Sequence, residues 1–389
     1  MNILFINETL AVGGVEKVTL VLANKFVEEC HEVSVYCFWD FYKNLEKEFD
    51  KRIYIQYGPG RRELKKNIDN IRQLVIERKI DVVINQNGSS FFFVYALYKA
   101  VKGLSVKTIS VYHNAPSFGT NVQNTLLRES RTKNVLSKFF LSMKRAFLKV
   151  ENSLMMRYAY YHADYYMLLS SSFISEFIAF TGIKNPTHLL IQTNPITLSS
   201  LALANSEKKK EKKIIYVGRF EETQKRVSRV LEVWKALEDD LPDWELILVG
   251  DGDDKEMYCN YVKDNCLKRV HFEGFCDPLP YYNKASILLL TSDYEGFGLI
   301  IVESMYCGVI PFVLGSYSSV NDIVENEING FILPTPFNPL EWKSKIKELI
   351  DKPDKMDEMS RNARRDSHKF DIDNIYKQWL EHMQMILQN

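Results

Sequence analysis

The sequence predicts an α/β fold built from two doubly wound, Rossmann-like domains that face each other across a cleft. The chain has 389 residues, which is too long for one ordinary hydrophobic core and sufficient for two. Strand and helix signals alternate in both halves, and a highly charged run separates them. Such alternation is typical of a parallel sheet covered by helices on both faces.

The first half contains short apolar runs followed by segments of helical spacing. Strands are predicted over residues 3–7, 33–38, 82–85 and 108–113, and helices over 15–29 and 64–79. The alternation stops at residues 199–213, where the charged run from Glu207 to Lys213 has no apolar face. We interpret this run as a solvated linker rather than a nucleic-acid-binding segment.

The second half resumes the alternation. Strands are predicted over residues 214–217, 245–249, 271–273, 287–290 and 310–313, and helices over 227–237, 255–266 and 298–306. The expected organisation is a first domain at 1–198, a linker at 199–213 and a second domain at 214–368. A C-terminal helix at 369–389 is expected to cross back to the first domain.

Composition excludes several classes of protein. The six cysteines are scattered without a Cys-x-x-Cys pair, which argues against a metal cage or a disulfide framework and favours a reducing cytoplasm. No apolar run of ~20 residues is present, and Met1 leads directly into the first strand, so neither a membrane span nor a cleavable signal is expected. Residues 1–195 carry a charge of +8 and the rest −8, which indicates two units with different partners.

Two features of the first half lie where ligands bind in doubly wound folds, at the carboxyl ends of strands. Gly13 and Gly14 join the first strand to the first helix, where exposed N–H groups can bind an anion. A two-glycine turn is also often only a turn. His113 ends a strand, although a single histidine is more often a packing residue than a catalytic one.

The second half carries two stronger patterns. Gly218 and Arg219 directly follow a strand, and Lys225 comes six residues later. A guanidinium and an ammonium can neutralise a departing nucleoside diphosphate without a metal, although both could equally be solvated cations on a turn. The second pattern is the run from Glu295 to Glu303, in which Gly296 and Gly298 open a helix. Glu303 falls on a helix that is apolar nearly all round, and a buried carboxylate needs a partner such as the two hydroxyls of a ribose.

Taken together, these motifs resemble those of the retaining GT-B glycosyltransferases of glycosyltransferase family 4. The resemblance covers essentially the whole second half and is patchier in the first. The matching segments are Gly13-Gly14-Val15-Glu16, His113-Asn114, Asn194-Pro195-Ile196, Gly218-Arg219 with Lys225, Val249-Gly250-Asp251-Gly252, Phe272-Glu273-Gly274, Glu295 to Gly308 with Pro311, and Asn329-Gly330. Departures such as Ser304 and Tyr306, in place of small alanines, are interpreted as packing changes.

The resemblance implies a role for each matching position. Arg219 and Lys225 would bind the diphosphate, with Gly13 and Gly14 approaching it from the other domain. Glu303 would bind the ribose hydroxyls, and the backbone around Gly274 and Phe275 would meet the base. Glu295 and the N–H groups of Phe297, Gly298 and Leu299 would contact the donor sugar or the phosphates. His113 would orient the sugar or the acceptor, so His113, Glu295, Arg219 and Lys225 are the expected catalytic residues.

The resemblance thus implies a retaining transfer of a sugar from a nucleotide-sugar to a glycan or lipid-linked acceptor, in polysaccharide or glycolipid assembly. A UDP-sugar is the first expectation for the donor, and GDP-mannose the second. No metal or other cofactor is expected, because Asp251-Gly252-Asp253 lies where the family has a glycine turn. Two alternatives remain open: a nucleotide-sugar epimerase of the same fold, and a catalytically silent sugar-nucleotide-binding protein.

An amphipathic pattern between residues 135 and 154 is typical of a helix that binds a membrane surface. Six apolar residues recur at steps of three and four: Leu136, Phe140, Met143, Phe147, Val150 and Leu154. The basic residues Lys138, Lys144, Arg145 and Lys149 accompany them. A basic amphipathic helix can lie on anionic lipid, so a cytoplasmic protein held peripherally at the inner face of the membrane is expected. The alternative is a helix that packs this apolar face on the first domain's core.

Overall fold

A computed structural model describes residues 1–41, 43–88, 90–198 and 210–388. The chain forms two compact units. The first unit comprises residues 1–197 and 370–389, and the second comprises residues 198–369. Most of the predicted linker, residues 199–209, lies outside the described residues. Both units have the α/β, parallel-sheet architecture that the sequence predicts.

The first unit is built on a parallel sheet whose described strands run in the order β3-β2-β1-β4-β5-β6-β7. These strands are β1 (Asn2–Asn7), β2 (Glu32–Cys37), β3 (Tyr54–Tyr57), β4 (Val82–Asn85), β5 (Lys107–Tyr112), β6 (Tyr165–Leu168) and β7 (Leu189–Ile191). The register pairs Ile3 with Val33 on one side and with Val82 on the other. Near-continuous apolar runs such as Ile3–Ile6 suit strands that are buried on both faces.

Helices cover both faces of this sheet. Those of the first unit are α1 (Gly14–Glu28), α2 (Leu64–Glu77), α3 (Phe91–Val101), α4 (Thr120–Arg131), α5 (Val135–His162), α6 (Phe173–Thr181) and α13 (Ile372–Gln388). The C-terminal α13 packs on α1, burying Ile375, Trp379, Met383 and Ile386. A Lys25–Asp373 ion pair of 2.6 Å fastens these two helices.

The second unit repeats the design with the order β10-β9-β8-β11-β12-β13 in its described strands. They are β8 (Lys213–Val217), β9 (Glu245–Val249), β10 (Val270–Gly274), β11 (Ile287–Leu290), β12 (Ile310–Leu314) and β13 (Phe331–Leu333). The covering helices are α7 (Val227–Leu237), α8 (Lys255–Asp264), α9 (Leu279–Lys284), α10 (Leu299–Tyr306), α11 (Pro339–Ile350) and α12 (Pro353–Ser367). The core beneath them includes the fully buried Trp234 and Trp342.

The described end of the predicted linker corrects the expectation of a purely solvated run. The Lys210 ammonium donates hydrogen bonds to the carbonyl oxygens of Tyr282, at 2.7 Å, and Asn283, at 3.3 Å. Burial lowers the pKa of Lys210 to about 8. Lys213 already belongs to β8. The charged run therefore ends as part of the second unit, because its last residues have carbonyl and strand partners there.

The long helix α5 leaves its apolar face uncovered. Asn134 caps it by accepting a hydrogen bond from the Ser137 amide, and the opposite face packs on α4. The exposed fractions of the predicted stripe are 69% for Leu136, 65% for Phe140, 56% for Met143, 68% for Phe147, 58% for Val150 and 59% for Leu154. The alternative in which this face packs on the core is therefore wrong. No helix in the described residues is long and apolar enough to cross a membrane.

Candidate active site

Each sheet has one point where the strand order reverses. In the first unit this point lies between β1 and β4, and in the second between β8 and β11. Chains that leave neighbouring strands here diverge to opposite faces, which opens a crevice at the carboxyl ends where ligands bind. Most of the predicted site residues of the second unit follow β8 or β11. Gly13 and Gly14 follow β1 in the first unit.

In the second unit the loops after β8 and β11 are joined by polar contacts. The Asp293 carboxylate accepts hydrogen bonds from the Arg226 and Arg229 guanidinium groups, each at 2.6 Å. The Thr291 hydroxyl donates to the Arg226 carbonyl at 2.9 Å. Gln224 donates to the Tyr294 carbonyl at 3.1 Å. These contacts give two loops about 70 residues apart in sequence one defined geometry.

Lys225 and Glu295 meet where these loops join. The Lys225 ammonium donates to Glu295 Oε1 at 2.6 Å, and the exposed fractions of the two side chains are only 11% and 10%. The negative charge of Glu295 also contributes, after burial, to raising the pKa of Tyr317. This ion pair has no net charge, but it holds an ammonium group at the strand switch point, where an anionic ligand can compete with Glu295 for it.

Arg219 differs from Lys225 in being solvated. Its side chain is 64% exposed and pairs with Glu221 at 3.0 Å, and it makes a 3.4 Å hydrogen bond to the Gln224 side chain. The Tyr216 hydroxyl donates to the Arg219 carbonyl at 3.0 Å, which holds the backbone after β8 in place. The guanidinium is therefore held by an exposed ion pair, which an incoming diphosphate can replace.

Glycines bring the loops after β8, β9 and β10 close together. Gly218 and Gly250 both have a φ of +149°, and a side chain on Gly250 would collide with the Gly218 carbonyl. Gly274 ends β10 with a φ of +75°, and the next residue, Phe275, is 70% exposed. An exposed aromatic ring at the carboxyl end of β10 is well suited to stacking on a nucleobase.

The Asp251-Gly252-Asp253 sequence forms a turn. The Asp251 carboxylate accepts from the Gly252 amide at 2.8 Å and from the Lys255 ammonium at 2.9 Å, and Lys255 contributes most to lowering the pKa of Asp251. Among the described residues, no group of three or more histidine, cysteine, aspartate or glutamate side chains is arranged to bind a metal ion.

Helix α10 follows the second glycine-rich motif. It begins at Leu299, one residue later than predicted, with Gly298 as its N-cap at a φ of +93°. Phe297 is buried, and Glu303 is 7% exposed on the second turn. Glu303 contributes, after burial, to raising the pKa values of Tyr282 and Cys307, which places its charge beside both. The expectation that Glu303 is a buried carboxylate is therefore correct.

In the first unit, the glycine turn already faces a carboxylate. Gly13 caps α1 and Gly14 begins it. The Glu16 side chain folds back over Gly13, so that a side chain on Gly13 would collide with the Glu16 carboxylate. Burial raises the pKa of Glu16. A phosphate that binds at Gly13 must therefore displace this carboxylate or bind beside its protonated form.

His113 directly follows β5 and is half-buried. Its Nε2 lies 2.6 Å from Oε1 of Gln86, the residue that follows β4. Burial lowers the pKa of His113 to about 4. The ring is therefore neutral near pH 7. A neutral imidazole here suits hydrogen bonding to a hydroxyl better than neutralising a phosphate.

Several residues at these loops were not identified from the sequence. Asp293, Arg226 and Arg229 carry the loop contacts, and Gln86 contacts His113. The Ser292, Tyr317 and Ser319 hydroxyls are buried with no hydrogen-bond partner in the described part of the chain. No sequence motif marks these residues. They share only their position after β4, β8, β11 or β12, and that position points to a ligand site only once the strand order is known.

The chain matches two family models that together span most of its length. Residues 12–190 match the model described as Glycosyltransferase Family 4, and residues 202–366 match the model described as Glycosyl transferases group 1.

Curated relatives match over nearly the whole chain. An uncharacterized glycosyltransferase of Haemophilus influenzae is 27% identical over 390 residues, which cover 96% of this chain and 97% of the relative. The second is the Campylobacter jejuni "GalNAc-alpha-(1->4)-GalNAc-alpha-(1->3)-diNAcBac-PP-undecaprenol alpha-1,4-N-acetyl-D-galactosaminyltransferase". It is 24% identical over 393 residues, with 98% of each chain covered.

Among solved structures, Anabaena HepE in complex with UDP superposes with a TM-score of 0.75 at 18% identity, covering 99% of this chain and 100% of that one. This likeness establishes the shared fold of two Rossmann-like units. The chain is therefore a GT-B glycosyltransferase of glycosyltransferase family 4.

Proposed function

We propose that this enzyme transfers a sugar from a UDP-sugar, with retention of configuration and without a metal ion, to a glycan or lipid-linked acceptor. The process would be the assembly of a cell-surface polysaccharide or glycolipid. GDP-mannose is the second candidate donor. The observation that carries the proposal is the buried Lys225–Glu295 pair at the β8/β11 switch point. In the proposed complex, Lys225 would neutralise the diphosphate and Glu295 would contact the sugar.

The surrounding residues supply the other parts of a nucleotide-sugar site. Arg219 adds a second cation that can turn towards the diphosphate, Glu303 is a ribose acceptor, and Phe275 is a surface for the base. The UDP bound by HepE and the undecaprenol-linked acceptor named for the Campylobacter enzyme favour a UDP-sugar and a lipid-linked acceptor.

The chemistry follows from the charges. As the bond between the sugar and the diphosphate breaks, negative charge grows on the departing phosphate, and Lys225 and Arg219 stabilise that charge. The acceptor hydroxyl attacks the same face of the sugar that the diphosphate leaves. Its proton passes to the departing phosphate oxygen, so no enzyme base is required and configuration is retained. Glu295 and Glu303 bind substrate and do not act as the acid–base pair of a glycosidase.

The test is release of UDP from a panel of nucleotide-sugars, with and without extracted lipid-linked and free glycan acceptors. We expect UDP release to depend on acceptor and to continue in excess EDTA. A sugar interconverted without acceptor would instead identify an epimerase. Binding without turnover across the panel would identify a silent binding protein, and loss in EDTA with rescue by Mn²⁺ would exclude the metal-free mechanism.

We further propose that α5 docks the enzyme on the anionic inner surface of the cytoplasmic membrane, where a lipid-linked acceptor would be found. Six apolar side chains are more than half exposed along one face. On a helical projection at ~100° per residue, Lys144 lies about 80° from the centre of this face, whereas Lys138 and Lys149 lie about 160° and 140° from it, towards the opposite face. Arg145 does not belong to this set, because its guanidinium donates to Glu129 of α4 at 2.9 Å and faces inwards.

Replacing Lys138, Lys144 and Lys149 with glutamine is expected to weaken binding to phosphatidylglycerol vesicles by at least about fivefold, with Lys144 contributing most because it lies beside the apolar face. Each lysine near such a surface contributes roughly 1 kcal/mol, and roughly 1.4 kcal/mol is a tenfold change. Serine at Phe140, Met143 and Phe147 is expected to abolish binding as well. The measurement is vesicle co-sedimentation at low and high salt, since salt screens the attraction.

A matched control replaces the exposed Lys65, Lys66 and Lys79 with glutamine, which removes the same charge from the same unit. This control is expected to bind vesicles normally. Wild-type protein that stays in the supernatant at low salt, or equal losses in the test and control variants, would contradict docking through α5. Turnover of a short soluble acceptor is expected to persist in every variant, because the donor-binding residues lie in other elements.

A further inference from the structure

Gln86 lies at the strand switch point of the first unit and is only 3% exposed. It directly follows β4, and its backbone N–H donates to the Ile6 carbonyl of β1 at 2.9 Å. Its side chain contacts His113, the residue that follows β5 on the other side of β4. Gln86 Oε1 lies 2.6 Å from His113 Nε2. One side chain thus joins the ends of two strands at the place where ligands bind in this fold.

The neighbouring polar residues have other partners. The Asn85 side chain donates to the Ser110 hydroxyl at 3.4 Å and accepts from the Asn87 amide at 3.0 Å. These bonds shape the turn after β4. The contact of Gln86 with His113 is different, because it determines how the imidazole is protonated.

A carbonyl oxygen only accepts hydrogen bonds, so a 2.6 Å contact with Gln86 Oε1 requires the hydrogen of the neutral His113 ring to be on Nε2. The ring then has Nδ1 as its acceptor. Desolvation lowers the pKa of His113, which keeps the ring uncharged. An uncharged acceptor suits a hydroxyl group, which donates, rather than a phosphate, which requires donors or positive charge.

The side-chain nitrogen of Gln86 has no hydrogen-bond partner among the described residues. Gln86 Nε2 is buried and makes no hydrogen bond to any residue that the structure describes. Buried polar atoms in proteins are usually paired, because an unpaired donor loses its bonds to water without replacement. An unpaired amide at a ligand-binding position indicates that the missing acceptor belongs to the ligand.

We propose that Gln86 is a positioning and recognition residue for the sugar: its Oε1 holds His113 in the Nε2–H tautomer, and its Nε2 donates to a sugar oxygen. His113 Nδ1 then accepts from a sugar hydroxyl, so the pair recognises a neutral polyol and not the diphosphate. The assignment to a sugar rests on the proposed glycosyltransferase reaction. The tautomer does not, and it can be measured in the free protein.

The experiment compares Gln86→Leu, Gln86→Glu and wild type, with the exposed Gln73→Leu as the matched control. Selective ¹⁵N labelling of the 7 histidines reports the protonated nitrogen of each ring, and a His113→Asn variant identifies the signal of His113. At pH 8 we expect Nε2–H in wild type, in Gln73→Leu and in Gln86→Glu, whose carboxylate still accepts. Gln86→Leu is expected to populate the Nδ1–H tautomer.

Kinetics separate the two roles of Gln86. With one net hydrogen bond corresponding to about a tenfold change, Gln86→Glu is expected to lower kcat/KM at least about tenfold, because it loses the amide donor and adds a buried negative charge beside His113. Gln86→Leu is expected to lower it about 100-fold, because the tautomer is lost as well. The affinity for UDP, which lacks the sugar, is expected to be unchanged in both variants.

Three results would overturn the proposal: an Nδ1–H ring in wild type, an unchanged ring in Gln86→Leu, or equal kcat/KM in Gln86→Glu and wild type. If Gln86→Leu does not fold, the wild-type spectrum and the Gln86→Glu kinetics still decide. Failure of the proposed function has a different signature. In that case wild type would turn over no nucleotide-sugar, whereas the tautomer measurement would be unaffected.

Discussion

Replacing Lys225 with methionine is expected to lower kcat by about 10²–10³-fold, the usual effect of removing one preorganised charge from a transition state. Lys225 is the buried cation of the site and lies 2.6 Å from Glu295. Negative charge on the diphosphate grows as the sugar departs, so the loss is expected mainly in kcat and less in donor affinity. Steady-state kinetics with the preferred nucleotide-sugar measure both.

The same substitution is expected to destabilise the fold by about 3 kcal/mol, because it leaves the Glu295 carboxylate buried without its partner. The double variant Lys225→Met with Glu295→Gln removes both charges and is expected to recover most of that stability without recovering activity. Chemical denaturation separates the two effects. A double variant that regains turnover would mean that Lys225 serves the fold and not the reaction.

Arg219→Met provides the contrast. The Arg219 side chain is 64% exposed and its partner Glu221 is partly exposed, so its removal is expected to leave stability nearly unchanged. It should still lower kcat, because the guanidinium is available to the diphosphate. An Arg219 variant with full kcat would limit the neutralising charge to Lys225.

Replacing Glu303 with glutamine is expected to weaken UDP binding by about 1.5–3 kcal/mol, since hydrogen bonds to a charged group are worth that much. This corresponds to roughly 10–150-fold in Kd. Glu303 is buried on α10 and is the proposed acceptor for the ribose hydroxyls. Isothermal titration with UDP measures the change, and a thermal melt without ligand checks that the variant is folded.

Measuring the affinities for uridine and for inorganic diphosphate separately shows whether a residue contacts the ribose or the phosphates. Glu303→Gln is expected to weaken uridine and UDP by the same factor and to leave diphosphate unchanged. Lys225→Met is expected to weaken diphosphate and leave uridine unchanged. If Glu303→Gln weakened diphosphate but not uridine, Glu303 would act on the phosphates, and the ribose would need another partner.

Local patterns were sufficient to predict most of the fold. Strands β4, β9 and β11 and helix α7 have the predicted bounds, because each is a short apolar run or a clear helical repeat between turn residues. Strand β3 was missed, since Tyr54–Tyr57 is an edge strand without buried alternation. Strand β7 has only three residues, Leu189–Ile191, too few for a period to be visible.

The chemistry of the site depends on neighbours that local patterns do not reveal. Lys225 and Glu295 were each identified, but their contact across 70 residues requires β8 to lie beside β11. Gln86 could be identified only from the structure, which places it beside His113, the residue after the adjacent strand β5. For α5, periodicity predicted an apolar face but could not tell whether protein or solvent lies against it, because both cases have the same spacing.

The position of α13 in the first unit has a consequence for synthesis on the ribosome. The packing of α1 against α13 is complete only after the whole second unit has been translated. At about 5–20 residues per second, residues 198–369 take about 10–35 s. During that interval the nascent first unit lacks the helix that packs on α1. The first unit, whose synthesis begins first, is therefore completed last.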